Sequence, residues 1–249
     1  MYKLLFGAAF LAIATGRVVT ADDQADARAI VDEAIKASGG EAALGKFVAA
    51  YFKVKGTGFD ADQKIPVSFE WFMQGKDKLR TLLYDDQNKL TEIEVVNGKE
   101  GWVKDDNQTT ERLSDEQVAA RQELVYVTWA TTFVPLKDQE FRLSLLEDTS
   151  VAGRKAVGIL VTHDKHAPLK VYFDAETHLM VKYQHKIKNA EVGKEFDEEC
   201  VYSDYRPVQE MKQPFRVVTF WDGVKMTDLT VAEQKYYEKP LDEKLFVKP

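Results

Sequence analysis

Apolar residues recur at helical spacing near the start of the chain. Positions i, i+3, i+4, i+7 and i+8 of this stretch are occupied by Ala27, Ile30, Val31, Ala34 and Ile35. Because these positions share one face of a helix, the pattern predicts an amphipathic helix over residues 22–37. Gly39 and Gly40 follow it, and glycine readily adopts the left-handed conformation that ends a helix. Residues 41–45 are expected to add one helical turn.

The hydrophobic pattern changes to a period of two after Phe47. Large apolar side chains stand at every second position of one stretch: Ile65, Val67, Phe69, Trp71 and Met73. This alternation predicts a β-strand. Asn97-Gly98 predicts a tight hairpin, because both residues tolerate positive φ. Further strands are predicted at residues 78–84, 90–96, 100–104, 140–146, 154–162, 169–174, 178–187, 196–205, 215–222 and 225–237.

One helix is predicted among the strands. Ser114 and Gln117 have the spacing of a capping box, and acidic residues fill the first turn. The helix is expected to run to about Phe133 and to stop before Pro135. Its C-terminal half is apolar nearly all round, whereas a helix lying on one sheet needs only one apolar stripe. We therefore expect it to be covered on two sides, or to cover something apolar.

The N-terminus has the three-part pattern of a secretory signal peptide. A lysine precedes an apolar run at residues 4–14, and Val19 and Ala21 place small residues at −3 and −1 of a cleavage site. The run is too short to span a bilayer, and no second long apolar stretch follows. We predict that residues 1–21 are removed on export. Residues 22–249 then form a single domain in the periplasm, or outside a cell without an outer membrane.

Charge excludes two classes of partner. The 249 residues carry a formal net charge of −7. Binding nucleic acid by neutralising phosphates needs a basic face, and so does electrostatic attachment to an anionic membrane. We therefore expect no nucleic-acid partner.

No Pro/Gly/Ser-rich linker divides the chain, and strand signals recur at roughly the 8–12-residue spacing of a barrel or sandwich.

Candidate metal ligands are few. His163 and His166 lie close together, but in a predicted polar turn without a third ligand nearby. A solvated turn is the favoured interpretation, so we expect no metal and no cofactor. His178 and His185 lie on the next predicted strand pair, which leaves a cross-strand histidine cluster open.

The single cysteine is predicted to be structural. Cys200 stands on a predicted strand beside Asp197, Glu198 and Glu199, and neighbouring negative charge raises the pKa of a thiol. The chain contains no nucleophile elbow, phosphate loop, dinucleotide fingerprint or zinc-protease motif. We therefore expect a binding protein rather than an enzyme.

Large apolar rings are the positive signal. In a curved sheet such groups line a ligand pocket, but they also fill an ordinary core, and both interpretations stay open. An apolar helix inserted among the strands favours a covered cavity. The candidate ligand-binding residues, lining the cavity or its lid, are Phe69, Trp71, Trp102, Trp129, Phe133 and Phe173.

The order of elements resembles that of a known superfamily. An amphipathic helix ending in Gly-Gly (residues 27–40, ARAIVDEAIKASGG) precedes a long meander with a mid-chain helix. A strand-turn-strand (residues 171–181, VYFDAETHLMV) and hairpins over residues 215–231 follow. This order resembles divergent exported members of the LolA/LolB-like lipoprotein-sorting superfamily. The resemblance implies a mainly β protein, α+β by content. Its fold would be a half-open antiparallel β-barrel of about eleven strands, with both helices acting as a lid over an apolar cavity.

The resemblance also implies a function. Better-known members carry lipids or the acyl chains of lipoproteins, so we expect a monomeric carrier that exchanges its ligand with membrane-bound donor and acceptor proteins. In the classical carrier an arginine on an early strand latches the lid, and Arg80 is the arginine on an early predicted strand here. Two alternatives remain: a structural or interaction protein whose barrel is filled by its own side chains, and an exported hydrolase using scattered carboxylates or the His163/His166 turn.

Overall fold

The computed structural model describes residues 21–60, 63–190 and 192–249. The predicted signal peptide, residues 1–21, lies outside these ranges except for Ala21, which begins the first helix. Its removal on export therefore stays a prediction.

The helices lie close to where the sequence predicts them. In the described residues they are α1 (Ala21–Ala37), α2 (Glu41–Gly45), α3 (Asp115–Ala130) and two 3-10 helices, Val134–Lys137 and Glu243–Phe246. Gly39 and Gly40 end α1 with φ of +129° and +92°. A Cβ atom on Gly39 would lie 2.5 Å from the carbonyl oxygen of Glu210, so only glycine permits this close approach. None of these helices is long and apolar enough to cross a membrane.

Fourteen strands occur in the described residues. They are β1 (Ala49–Asp60), β2 (Gln63–Gln74), β3 (Lys78–Tyr84), β4 (Leu90–Asn97), β5 (Glu100–Lys104), β6 (Thr110–Arg112), β7 (Arg142–Leu145), β8 (Thr149–Val151), β9 (Arg154–Thr162), β10 (Leu169–Asp174), β11 (Met180–Asn189), β12 (Lys194–Val208), β13 (Met211–Trp221) and β14 (Val224–Tyr237). The expected count of about eleven is wrong. Strands β6 and β8 are too short to show an alternating pattern, and each is stabilised by pairing with a longer neighbour.

All strands join one antiparallel sheet that does not close. Its order is β6-β5-β4-β3-β2-β1-β14-β13-β12-β11-β10-β9-β7, with β8 paired to β9. Strands β6 and β7 are the two edges, and within the described residues no pairing joins them. The expected half-open, mainly β architecture is confirmed.

Helix α1 covers the β7 edge. The side-chain oxygen of Gln24 accepts a hydrogen bond from the Leu143 amide at 2.9 Å. Arg28 donates to the carbonyls of Leu136 at 2.9 Å and Phe141 at 3.1 Å. An exposed strand edge is a template for aggregation, and Gln24 occupies the Leu143 amide of this edge while Arg28 holds the segment that leads into it.

Helix α3 begins as predicted and ends earlier. Ser114 accepts from the Gln117 amide while Gln117 accepts from the Ser114 amide, which confirms the capping box. The predicted end near Phe133 is wrong, since the helix stops at Ala130. Phe133 has φ of +71°, outside helical geometry, and Pro135 lies in the 3-10 helix that follows. Proline disfavours α-helical geometry in the residue before it, so the chain turns ahead of it.

The strand register separates two faces of the sheet. Side chains directly opposite one another point to the same side. One row contains Phe52, Trp71, Thr81, Glu94 and Val103, and the next contains Tyr51, Phe72, Arg80, Val95 and Trp102. Arg121 of α3 contacts Glu94. We therefore call the face of the first row the inner face and that of the second the outer face.

The end of the chain crosses the outer face. We call residues 241–249 the C-terminal strap. Arg80 donates to the Leu245 carbonyl at 3.0 Å, and Asn97 donates to the Phe246 carbonyl at 3.1 Å. The Phe246 side chain is completely buried. Arg80, the arginine that the resemblance suggested as a lid latch, therefore lies on the face away from α3 and holds the strap.

Replacing Phe246 by alanine is expected to lower the free energy of unfolding by about 3–5 kcal/mol, because a fully buried ring leaves a cavity. Urea unfolding followed by circular dichroism measures this. Val247 is 53% exposed, so Val247→Ala is the matched control and should change stability by less than about 0.5 kcal/mol. Equal, small effects of the two substitutions would show that the strap does not stabilise the sheet.

Candidate functional site

Helix α3 lies against the inner face and takes part in two separate hydrophobic clusters. Val118 and Val125 pack in one cluster with Met73, Leu79, Val96 and Leu113. Tyr126, Val127 and Ala130 pack in the other, which includes inner-face residues of β9 to β12 such as Ile159, Phe173 and Tyr183. The expectation of a helix covered on two sides is confirmed. The helix occupies the opening between the two halves of the sheet.

Polar contacts fasten α3 to the first half. Both carboxylate oxygens of Glu94 accept from Arg121, at 3.0 to 3.1 Å, and the Glu94 residue is 8% exposed. Gln122 donates to the Gly98 carbonyl. A Cβ atom on Gly101 would come within 2.9 Å of the Val118 side chain, so glycine lets the helix approach β5 closely. The bidentate ion pair between Arg121 and Glu94 fixes both the position and the orientation of the helix.

An aromatic stack fastens α3 to the second half. His166 lies 2.8 Å from Glu123, and its ring stacks on that of Tyr126 with centroids 3.4 Å apart. His163 stacks on Phe141 with centroids 4.5 Å apart. The predicted polar turn is present, and Asp164 and Lys165 are exposed in it. The side chains of His163 and His166, however, are only 20% and 27% exposed, so the prediction that they are solvated is wrong. These two side chains turn inward because α3 offers them a ring and a carboxylate.

Within the described ranges no group of three His, Cys, Asp or Glu residues has the geometry to hold a metal ion. One nitrogen of His163 and one oxygen of Glu123 are buried without a hydrogen-bond partner in the described structure. The stack therefore holds a helix at some cost in unsatisfied polar groups.

The inner face of β2 forms an apolar floor that is covered at one end. Met73 is 6% exposed beneath the helix, whereas Ile65 at the far end of the strand is 44% exposed. Phe69 and Trp71 lie between them, half-buried, with ring centroids 4.8 Å apart. Trp71 packs against the cluster that includes α3. Two of the residues predicted from the sequence therefore lie side by side on this floor.

The other predicted residues lie elsewhere. Phe133 and Phe173 are 5% and 0% exposed and contact each other edge to face, so both belong to the core beside α3. Trp129 is a half-buried helix residue that contacts the ring of Phe141. Trp102 lies in the row of the outer face, away from α3. Sequence alone cannot distinguish the faces of β5, because its five residues show no clear alternation.

A buried polar cluster stands on the inner face of the opposite wall, formed by β11 to β13. Glu198 of β12 accepts hydrogen bonds from His185 at 3.0 Å, Tyr183 at 3.3 Å and Trp221 at 3.0 Å. Burial raises the pKa of Glu198, but the hydrogen bonds from His185, Trp221 and Tyr183 outweigh it, and the pKa is lowered overall. The carboxylate is therefore ionised at neutral pH. The second ring nitrogen of His185, Nδ1, is buried with no partner in the described structure.

The sequence reasoning did not single out this cluster. In the sequence, Glu198 stands with Asp197 and Glu199 as negative charge around Cys200. A signal was present, because Glu198 shares its alternation phase with Cys200 and Tyr202, whose side chains face inward. A carboxylate whose side chain points inward from a strand needs hydrogen-bond donors, and the neighbouring strands β11 and β13 supply them.

The inward position also determines the chemistry of Cys200. The thiol is buried, and burial, followed by the charge of Glu198, raises its pKa to about 12. The predicted direction of the shift is confirmed, although burial rather than the acidic run is its main cause. The thiol touches the Thr219 hydroxyl at 3.4 Å.

The best-formed depressions of the structure are small and lie away from α3. The two in the described part of the chain hold about 110 and 90 Å³. One lies beside α1 at Arg28 and Leu136, and the other lies at the ends of β4 and β5. Pockets for small ligands typically hold roughly 300–1,000 Å³, so both depressions are smaller than a typical ligand pocket.

Comparison with known proteins identifies the fold. No protein-family model matches the sequence, and no curated protein matches it. Solved structures do match. A LolA superfamily protein from Nitrosomonas europaea aligns with a TM-score of 0.55 at 11% identity, over 89% of this chain and 97% of that one. A domain named as an outer membrane lipoprotein-sorting protein, from Vibrio parahaemolyticus, gives 0.56 at 11% identity, over 89% and 97%.

A third similar structure is a DUF1329 family protein from Desulfovibrio piger. It aligns with a TM-score of 0.59 at 12% identity, over 88% of this chain and 96% of that one. The three alignments cover most of each chain. The LolA-like fold that the order of elements suggested is confirmed.

The buried thiol gives a direct test of the inner-face geometry. With a pKa of about 12, only about one Cys200 thiol in ten thousand is ionised at pH 8, against roughly a quarter for a free thiol. Alkylation by iodoacetamide at pH 8 should be negligible in the folded protein and rapid in urea, as followed by intact mass. Rapid alkylation without urea would place the thiol outside the core.

Proposed function

We propose that this chain, which has the LolA-like fold, is an exported carrier that sequesters a hydrophobic ligand between α3 and the inner face of its sheet. The ligand is a lipid or the acyl chain of a lipoprotein. One observation carries the proposal: an apolar helix lies in the opening of an unclosed sheet and packs on two separate clusters. Such a helix can leave without breaking a strand pairing.

Exchange of α3 for a ligand keeps apolar surface out of water. Burial of apolar surface stabilises by about 25 cal/mol per Å², whether a helix or a ligand covers that surface. An acyl chain lying on Phe69, Trp71 and Met73 replaces the contacts that Leu124 and Val125 make now. The ligand therefore offsets the cost of displacing the helix. The proposal requires this displacement, because the existing depressions are too small.

The candidate residues then take different roles. We propose that Phe69 and Trp71 form the floor, that Trp129 and Phe133 move with the helix and the turn after it, and that Phe173 is uncovered when Phe133 leaves. Trp102, on the outer face, has no part in this arrangement.

Location and partners follow from the same proposal. The predicted signal peptide at residues 1–21 favours export to the periplasm. The similar Vibrio parahaemolyticus domain carries a name that refers to lipoprotein sorting at the outer membrane. We propose that the chain works as a monomer and exchanges its ligand with membrane-bound donor and acceptor proteins, which would displace α3 during transfer.

A second function is favoured by the small size of the best-formed depressions. The two in the described residues hold about 110 and 90 Å³, so the fold also fits a structural or interaction protein that binds no ligand. In that case α3 is a permanent part of the core. The two functions differ in whether the helix ever leaves.

A binding experiment separates them. The exported protein, purified without detergent, should carry co-purifying lipid detectable by mass spectrometry of an organic extract. After delipidation it should take up the neutral apolar probe N-phenylnaphthylamine with a rise in fluorescence. A protein with a filled core should show neither bound lipid nor probe uptake. If both are absent, the carrier function is refuted.

Arg121→Gln should make α3 leave more easily. The substitution removes the bidentate partner of Glu94 and leaves a carboxylate that is 8% exposed, which costs about 1–3 kcal/mol. If opening limits uptake, the rate of probe uptake should rise by about 5–30-fold, as stopped-flow fluorescence measures. Arg112→Gln is the matched control, because Arg112 is 63% exposed and lies 3.8 Å from Glu100.

The control variant should leave both stability and uptake rate unchanged. A destabilised Arg121→Gln protein that takes up the probe no faster than Arg112→Gln would mean that α3 does not gate the floor.

A further inference from the structure

The two walls of the inner face differ in chemistry. The wall of β1 to β3 presents aliphatic and aromatic groups, among them Val54, Phe69 and Trp71. The wall of β11 to β13 presents Glu198 with His185, Tyr183 and Trp221 around it. An apolar wall and a polar wall on the same inner face suit a ligand with an apolar chain and a polar end.

The polar wall holds a negatively charged carboxylate. Glu198 is ionised, and its side chain is 13% exposed on the inner face. Lys182, Lys186 and Arg216 of the neighbouring strands lie at outer-face positions of the register. Lys188 of β11 is engaged by Glu116 of α3, and Arg121 of α3 is engaged by Glu94. A carboxylate or phosphate on a ligand would therefore meet the negative charge of Glu198.

The wall also has an unpaired polar atom. Glu198 accepts from the Nε2–H of His185, which leaves the second ring nitrogen, Nδ1, for another partner. His185 is 7% exposed, and Nδ1 has no partner in the described structure. A buried polar atom without a partner is costly, so a ligand group that hydrogen-bonds to it, as a hydroxyl can, is favoured.

We infer that the ligand is an amphiphile whose polar end donates hydrogen bonds, an ammonium or a hydroxyl rather than a carboxylate or a phosphate, and that this end binds at Glu198 and His185. The inference rests on the proposed carrier function and adds the class of ligand and its orientation. The chain lies on the floor of β2, and the polar end points to β12.

Three amphiphiles with the same acyl or alkyl chain length test this: dodecylammonium, monolauroylglycerol and laurate. Each displaces N-phenylnaphthylamine from the full exported protein, at concentrations below its critical micelle concentration. Dodecylammonium and monolauroylglycerol should bind at least about tenfold more tightly than laurate. This comparison uses the unaltered protein, so it does not depend on whether a variant folds.

The substitution Glu198→Gln tests whether the polar end of the ligand binds at Glu198. The substitution removes the negative charge but keeps the shape, so the preference for dodecylammonium over laurate should fall below about threefold. Glu199→Gln is the matched control, because Glu199 neighbours Glu198 on β12 but lies at an outer-face position beside Lys182. It should keep the preference of the unaltered protein. Thermal unfolding shows whether each variant is folded.

The outcomes separate the two proposals. Laurate binding as tightly as dodecylammonium, or an equal loss of preference in Glu198→Gln and Glu199→Gln, overturns this inference and leaves carriage standing. Failure of the probe and of all three amphiphiles to bind overturns carriage itself, and the inference with it.

Discussion

The rest of the structure depends on one constraint, the need to bury a helix that is apolar on more than one side. Val125 and Tyr126 are neighbours in α3, yet they belong to different hydrophobic clusters. A closed barrel would have to enclose the whole helix or leave it outside, and a flat sheet would cover only one of its sides. A sheet that curves and stays open covers both. The openness of the sheet and the apolarity of the helix are therefore two aspects of the same arrangement.

The polar contacts of α3 show how its position is fixed without a continuous core. Glu94 holds Arg121 on one side, and His166 holds Glu123 on the other. These contacts are directional, so they determine where the helix lies, whereas the hydrophobic clusters contribute most of the stabilisation. Because a few ion pairs and hydrogen bonds fix the position of α3, groups that compete for these contacts can release the helix. This distinguishes it from α1, whose Arg28 and Gln24 bind backbone groups of the first 3-10 helix and of the edge strand.

Periodicity predicted most of the fold, and the errors have physical causes. The capping box at Ser114 and the helix ending at Gly39 depend on neighbouring residues alone, so local reasoning found them. The inward turn of His163 and His166 depends on Tyr126, which is distant in sequence. The cluster at Glu198 depends on which face of β12 points inward. A run of three acidic residues shows no alternation of polar and apolar positions, so the sequence does not reveal which of them points inward. Interactions across strands are invisible until the register is known.

The pairing of β1 with β14 has a consequence for the order in which the protein can fold. Strands β1 to β6 are synthesised long before β14 and the C-terminal strap exist. During that time β1 has one bare edge, and the outer face around Arg80 and Asn97 is uncovered. Contacts between distant parts of a sequence form slowly, and bare edges attract other chains. The first half of the sheet must therefore be protected from premature association until the last strand arrives beside it.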